Sequence, residues 1–255
     1  SQDVVIEVLD ARLPLASCNP LIAQLRQDKP LIRVLTKGDL ADPDVTRAWV
    51  DCFQSEPGVS AFASTTADPK AVRKRIAELC RQLQVPRSPG RGVRALIAGV
   101  PNVGKSTLLN ILMNRVVATV GDKPAVTTLQ QTVTLVGGML VTDTPGLMWP
   151  KIEDEARAFR LAFAGSIPDT AIDYLTIGIF GAELLLERYP QLVVARYKLA
   201  GLPKDAETLL ALVGRRHGAL RKGGVLDLHK AAELFVHEFR AGRIGAITLE
   251  VPPSH

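Results

Sequence analysis

A glycine-containing octapeptide, Gly99-Val-Pro-Asn-Val-Gly104-Lys105-Ser106, stands between an apolar run, Arg94 to Ala98, and a helix-forming stretch, Ser106 to Met113. A loop with that pattern, leaving a strand and opening a helix, narrows the fold to a phosphate-binding α/β domain. Its glycines let backbone amides turn inward on phosphate oxygens, Lys105 supplies compensating charge, and the Ser106 hydroxyl is a hard oxygen suited to Mg²⁺. Pro101, Asn102, Val103, Gly104 and Thr107 complete the expected cradle.

The rest of the chain supplies the sheet such a loop needs. Val4 to Leu9, Leu31 to Leu35, Val59 to Phe62 and Val93 to Ala98 are short, mostly apolar without alternation and rich in β-branched residues, the pattern of buried parallel strands. Thr132 to Val136 and Met139 to Thr142 flank Gly137-Gly138, a hairpin signal. Amphipathic segments such as Pro43 to Gln54 and Pro69 to Gln84 lie between strands, which predicts a three-layer α/β domain with a mostly parallel sheet. Val85 to Gly92 reads as a flexible Pro/Gly/Arg connector. After about Glu155 no strand is expected until the last few residues, so the division expected is 1–154 for the α/β domain and 155–255 for a small all-helical one.

Composition excludes several classes. With 47% hydrophobic residues in 255, the chain holds enough apolar material for two ordinary cores and is neither fibrous nor disordered. No run of about 18 residues is free of charge, so a soluble protein without membrane spans is expected. Cys18, Cys52 and Cys80 have no metal-ligand spacing and read as buried free thiols of a reducing compartment. The chain begins at Ser1 without an initiator Met and enters the first strand almost at once; no signal or transit segment is read there, and loss of an upstream segment is compatible with that start. The formal charge of +5 favours a polyanionic partner weakly.

Four further segments point to a purine nucleotide and Mg²⁺. Leu140-Val-Thr-Asp143-Thr-Pro-Gly146 ends a strand with an Asp able to hold a Mg²⁺ water and a Gly whose amide would meet a γ-phosphate. Thr127, in Lys123-Pro-Ala-Val-Thr127-Thr128, is the candidate to complete the Mg²⁺ shell. Upstream, Leu35-Thr36-Lys37-Gly38-Asp39 closes a strand with a carboxylate that can accept from both N1 and N2 of guanine, a donor pair adenine lacks. The Lys37 stem can cover the base plane, and Phe62-Ala-Ser64-Thr65 ends a strand where a backbone amide can approach guanine O6.

In the common Ras-like order the phosphate loop, switch threonine and DxxG come first. Here the base-recognition loops precede them, which leaves the site intact because all five loops lie at the same carboxyl edge of one sheet. This order, with Asp10-Ala-Arg12-Leu-Pro14 and Asp143-Thr-Pro-Gly-Leu-Met-Trp-Pro150, closely resembles the YlqF/RbgA family of circularly permuted ribosome-assembly GTPases. The likeness continues through Ala164-Gly-Ser-Ile-Pro-Asp169, Arg188-Tyr-Pro190, Gly223-Gly224 and Phe239-Arg-Ala-Gly-Arg243-Ile-Gly245. It implies a GTPase that binds GTP and GDP, acts on the large ribosomal subunit and binds rRNA through its helical domain. A bacterial cytoplasm is the first expectation for its location, an organelle matrix the second, and a monomer is expected.

From Arg196 onward ten Lys/Arg face six acids, with Arg215, Arg216, Arg221, Lys222, Arg240 and Arg243 the candidate RNA contacts. A solvated helix face explains the same charges nearly as well. Asn102 matches the residue that binds K⁺ in potassium-activated relatives; a turn-favouring Asn is an equal reading. Three departures stand out. Leu147 occupies the water-orienting position, and His217, His229, His237 and His255 all lie in the C-terminal half, so slow hydrolysis is expected. Thr36 replaces the usual Asn, which predicts a lost tie to the phosphate loop and weaker nucleotide binding. Ala125 replaces a usual Gly in the switch. Two other readings are open: an RNA-binding module gated by nucleotide with incidental turnover, and an ATP-using P-loop enzyme such as a small kinase.

Overall fold

The computed structural model describes residues 2–82, 92–113, 131–134, 140–143, 152 and 154–253. The chain divides into two compact units, Ser1–Lys151 with Glu250–His255, and Ile152–Leu249.

The first unit is built on a six-stranded sheet of β1 (Val4–Asp10), β2 (Leu31–Thr36), β3 (Val59–Ala63), β4 (Arg94–Ala98), β5 (Gln131–Thr134) and β6 (Leu140–Asp143). Their order is β3-β2-β1-β4-β6-β5, parallel except for β5 against β6. Every residue of β1 and β2 is buried, as central strands covered on both faces must be, which is why their sequences, apart from Glu7, Asp10, Arg33 and Thr36, are apolar rather than alternating. Residues 135–139, which hold the expected Gly137-Gly138 turn, lie outside the described residues, as does most of the 85–92 connector.

Five described helices accompany the sheet: α1 (Pro14–Ser17), α2 (Pro20–Leu25), α3 (Pro43–Gln54), α4 (Pro69–Gln82) and α5 (Lys105–Met113). α3 starts where Pro43 can give up an amide the helix does not use and Asp42 can cap the amides of Asp44 and Val45. Its Trp49 and Phe53, with ring centroids 5.2 Å apart, pack against Val5, Leu9, Leu31 and Leu35. Full burial of each such side chain contributes about 2 kcal/mol. One ion pair shares this face: Arg33 donates to Glu7 at 3.1 Å and lies 4.4 Å over the Phe53 ring, while Glu7 also accepts from the Asn19 amide. Burial pushes the Glu7 carboxyl upward despite Arg33. Cys80 is buried, whereas Cys18 and Cys52 are half-buried, a correction to the expectation that all three thiols are inside; none of the three is in a disulfide.

The second unit contains α6 (Glu155–Phe163), α7 (Tyr174–Arg188), α8 (Pro190–Tyr197), α9 (Ala206–His217) and α10 (Leu228–Arg240). Asp154, Asp173, Asp205 and Asp227 cap α6, α7, α9 and α10, each accepting from the amide three residues on. Helix packing is close here: a Cβ at Gly181 would meet the Phe163 ring at 2.3 Å, and one at Gly178 would meet the Ala232 Cβ at 2.7 Å. The strand expected at the end does not form; outside the sheet, the described residues show an isolated bridge, Leu220 to Leu226. The last residues instead return to the first unit. There the Glu250 carboxylate accepts from the Leu15 and Ala16 amides, and its carbonyl accepts from Trp49 Nε1 at 3.1 Å.

Candidate nucleotide-binding site

From β1 the chain builds outward through β2 to β3, and from β4 it builds the other way, so the order reverses between β1 and β4. A crevice opens at the carboxyl ends of strands at such a reversal, the usual ligand position in an open α/β sheet. The loops leaving β1, β2 and β4 meet there.

The loop after β4 needs its glycines for two reasons. A Cβ on Gly99 would stand 2.5 Å from the Val8 carbonyl, so only glycine lets the phosphate loop lie this close to β1. Gly104 has φ +102°, and Asn102 also adopts the left-handed region at +59°. That conformation satisfies the turn-favouring reading of Asn102. Val100, Pro101 and Val103 are buried, and the Gly104 carbonyl accepts the first helical bond, from Leu108 at 2.9 Å. Lys105 is buried and its ammonium donates to the Val100 carbonyl at 2.9 Å, folded over the loop it is meant to neutralise. Ser106 and Thr107 follow in the first turn of α5.

Thr36 corrects the sequence expectation. Its hydroxyl contacts the Val103 carbonyl of the phosphate loop and, at 2.9 Å, the Leu9 carbonyl. A hydroxyl has one proton, so it donates to these two acceptors in alternation, yet the tie between the base loop and the phosphate loop is kept without an Asn amide. Lys37 adds a second tie. Its ammonium donates to the Asn102 carbonyl at 2.7 Å and to Asp10 Oδ2 at 2.8 Å. A third connection holds the two base-side loops together: the Gly38 amide donates to the Ser64 carbonyl at 3.0 Å and the Ser64 amide to the Leu35 carbonyl at 2.7 Å. Ser64 is buried, Thr65 Oγ1 accepts from the Ala67 amide, and Asp39 is exposed at the edge of the crevice.

For Arg12 the sequence offers a strand-end salt bridge and for Asp10 no role; the salt bridge forms, and Asp10 is its partner. Arg12 is fully buried and grips Asp10 with Nε at 3.0 Å to Oδ1 and Nη2 at 2.8 Å to Oδ2, while its own amide donates to Oδ1 at 3.0 Å. Burial alone raises a carboxyl, but Arg12 and Lys37 outweigh it and hold Asp10 well below the usual carboxylate range. The available signal was Asp10-Ala11-Arg12, two opposite charges at the carboxyl end of a buried strand.

Asp143 ends β6 and pairs in register with Ile97 of β4, which puts its backbone beside the phosphate loop's own strand. Its side chain, with Thr127, Gly146, Ala125 and Leu147, lies outside the described residues. Ser106 remains as a hard oxygen donor fitting Mg²⁺, and no group of three or more His, Cys, Asp or Glu that could hold a metal occurs among the described residues.

In the second unit the six candidate RNA residues differ in what they do. Arg240 donates to the carbonyls of Phe163 at 3.1 Å and Ala162 at 2.8 Å and to Asp169 at 2.8 Å, closing the end of α6. Arg216 donates to the Tyr197 carbonyl, and Arg221 is paired with Asp227 at 2.9 Å. Arg215, Lys222 and Arg243 are exposed. Among the histidines, His217, His229 and His237 stand near Glu238, Asp173 and Glu233 in the same unit, and His255 lies outside the described residues.

The family model for the 50S ribosome-binding GTPase matches residues 94–176. A ribosome biogenesis GTPase A from Bacillus cereus is 40% identical over 258 residues, covering 98% of this chain and 86% of the relative. One from Bacillus pumilus is 38% identical over 259 residues, covering 99% and 92%. Among solved structures, GNP-bound YlqF from T. maritima superposes with a TM-score of 0.71 at 29% identity, covering 99% of this chain and 94% of that one.

Proposed function

The chain belongs to the ribosome biogenesis GTPase A family, and from that premise we propose that it is a GTP-gated switch acting on the large ribosomal subunit through rRNA. Its activity is that of a GTPase serving ribosome assembly. The observation that carries the reading is the double tie, through Thr36 and Lys37, that docks the loop bearing Asp39 on the phosphate loop. A docked pair of loops presents the guanine carboxylate and the phosphate cradle to one nucleotide.

In the proposed cycle the loop amides and Lys105 hold the phosphates, Lys105 exchanging its contact with the Val100 carbonyl for phosphate oxygens. Asp39 selects guanine, and a backbone amide beyond Ser64 meets the base oxygen. Ser106 and Thr127 would hold Mg²⁺ and Asp143 would hold it through a water, and the ion would supply charge neutralisation at the β- and γ-phosphates. Thr127 and Gly146 sense the γ-phosphate, and their ordered form docks on the subunit until hydrolysis releases it. Leu147 at the water-orienting position supports slow turnover away from the ribosome. It also favours the second reading, a nucleotide-gated RNA-binding module. A K⁺ at Asn102 belongs to the same proposal and is removed by a rate equal in Na⁺ and K⁺ buffers. Action in the bacterial cytoplasm as a monomer, and residues 155–255 as the RNA-binding part, complete the reading.

Exposed Arg215, Lys222 and Arg243 are the favoured phosphate contacts, since Arg240 is engaged in closing α6. The test is co-sedimentation with purified large subunits at physiological salt. Retention with a non-hydrolysable GTP analogue and release with GDP is expected, with a flatter salt dependence when the three residues are replaced by Ala. Equal absence of binding in both nucleotide states counts against the proposed partner.

A further inference from the structure

Lys37 is a point charge on a flexible stem, and such a side chain does not hold one position unless something fixes it. Here its ammonium bridges a carbonyl of the phosphate loop and Asp10 Oδ2, and its own backbone is in the left-handed region at φ +57°. Asp10 is itself immobilised. Its two oxygens receive four donors, three from Arg12 and one from Lys37, and its amide donates to Ser17 Oγ at 3.1 Å. One residue on, the Ala11 amide donates to the Thr36 carbonyl at 2.9 Å, clamping the end of β1 to the loop that carries Asp39. A buried ion pair serving stability alone needs Arg12 only; the fourth donor reaches across to the nucleotide site.

We propose that Asp10, braced by Arg12, is a positioning residue for guanine-nucleotide recognition, fixing the Lys37 ammonium on the Asn102 carbonyl and thereby docking the base-reading loop on the phosphate loop. The inference rests on the guanine-nucleotide reading of the same loops. Neither residue touches the nucleotide; both act through Lys37. Because the anchor lies on the base side of the site, it affects GDP and GTP equally and leaves the hydrolysis step of bound GTP unchanged.

The test is a double-mutant cycle read by binding of a fluorescent GDP and a fluorescent non-hydrolysable GTP analogue, with single-turnover hydrolysis and melting temperature alongside. Asp10→Asn is expected to raise Kd about tenfold for both nucleotides, the loss of one charge-assisted hydrogen bond, with the single-turnover rate kept. In a Lys37→Met background the same substitution is expected to add nothing further. Should Asp10→Asn leave Arg12 too poorly paired to fold, Asp10→Asn with Arg12→Gln removes both charges together and is expected to show the same tenfold loss. Folded variants that bind within about twofold of the parent, or losses that add in the Lys37→Met background, overturn the inference. Failure of both Asp10 variants to fold also overturns it, since the role is then structural. Failure of the parent chain itself to bind GDP sinks the nucleotide reading, whereas normal binding by the parent and an unaffected Asp10→Asn sinks this inference alone.

Discussion

Two buried carboxylates, one in each unit, invite comparison. Asp10 in the sheet unit and Glu238 in the helical unit are both almost fully enclosed, and both are gripped by an arginine and further donors. Glu238 receives Arg196 through Nη2 and Nε, the Tyr197 hydroxyl at 2.8 Å, and stands 3.4 Å from His217. Its partners come from two helices, α8 and α9, packed against its own α10, and none of them borders a loop at a strand end. Asp10 ties loops together at the carboxyl edge of a sheet. Equal burial and similar chemistry thus serve different ends, and the backbone position of the partners decides which: between helices the charge organises packing, and between strand-end loops it organises a site.

Perturbing the helical carboxylate is the harder way to break that contrast. Glu238→Gln removes the charge facing Arg196 and is expected to cost about 2 kcal/mol of stability, visible as a lowered melting temperature, with GDP affinity unchanged. A change in nucleotide affinity there would dissolve the distinction. Acid sharpens it. Burial pushes the Glu238 carboxyl up, but Arg196 and the Tyr197 hydroxyl outweigh this and hold it below its ordinary 4.5. Its contribution is therefore complete above that value and is lost as pH falls through the lower folded-state pKa, so urea midpoints of the parent and Glu238→Gln should converge as pH drops below 4.5. The smallest effect is expected on the sheet side. Thr36→Val keeps the shape and removes the hydroxyl tie, raising the GDP Kd about fivefold, near 1 kcal/mol, with little change in melting temperature. An unchanged Kd would mean that Lys37 alone docks the loop.

Much of the sheet unit was legible because its signals are local. Strands buried on both faces are mostly apolar rather than alternating, and the bounds of α3 follow from Asp42, Pro43 and the spacing of Trp49 and Phe53. The phosphate loop was legible because glycine, lysine and serine stand between a strand and a helix. What escaped depends on proximity through space. Thr36 appeared to forfeit a tie because an amide was missing, while its hydroxyl reaches Val103, 67 residues away in sequence. The salt bridge of Arg12 is local and was readable, whereas the link from Asp10 to Lys37 appears only when β1 and β2 are adjacent. In the helical unit, composition misled: Arg240 counts as one more basic residue in the sequence, yet its guanidinium closes α6. The final segment, apolar and β-branched at Ile247 and Val251, suggested a strand, but among the described residues no partner strand pairs with it.

The central claim is that loops permuted along the chain assemble one guanine-reading site, and its most direct test is competition for a fluorescent GDP. Unlabelled GDP and GTP should displace it, ATP at the same concentrations should not, and Asp39→Asn should transfer the preference from guanosine to xanthosine nucleotides. Displacement by ATP as readily as by GTP, or an Asp39→Asn variant with its guanine preference intact, would contradict the account.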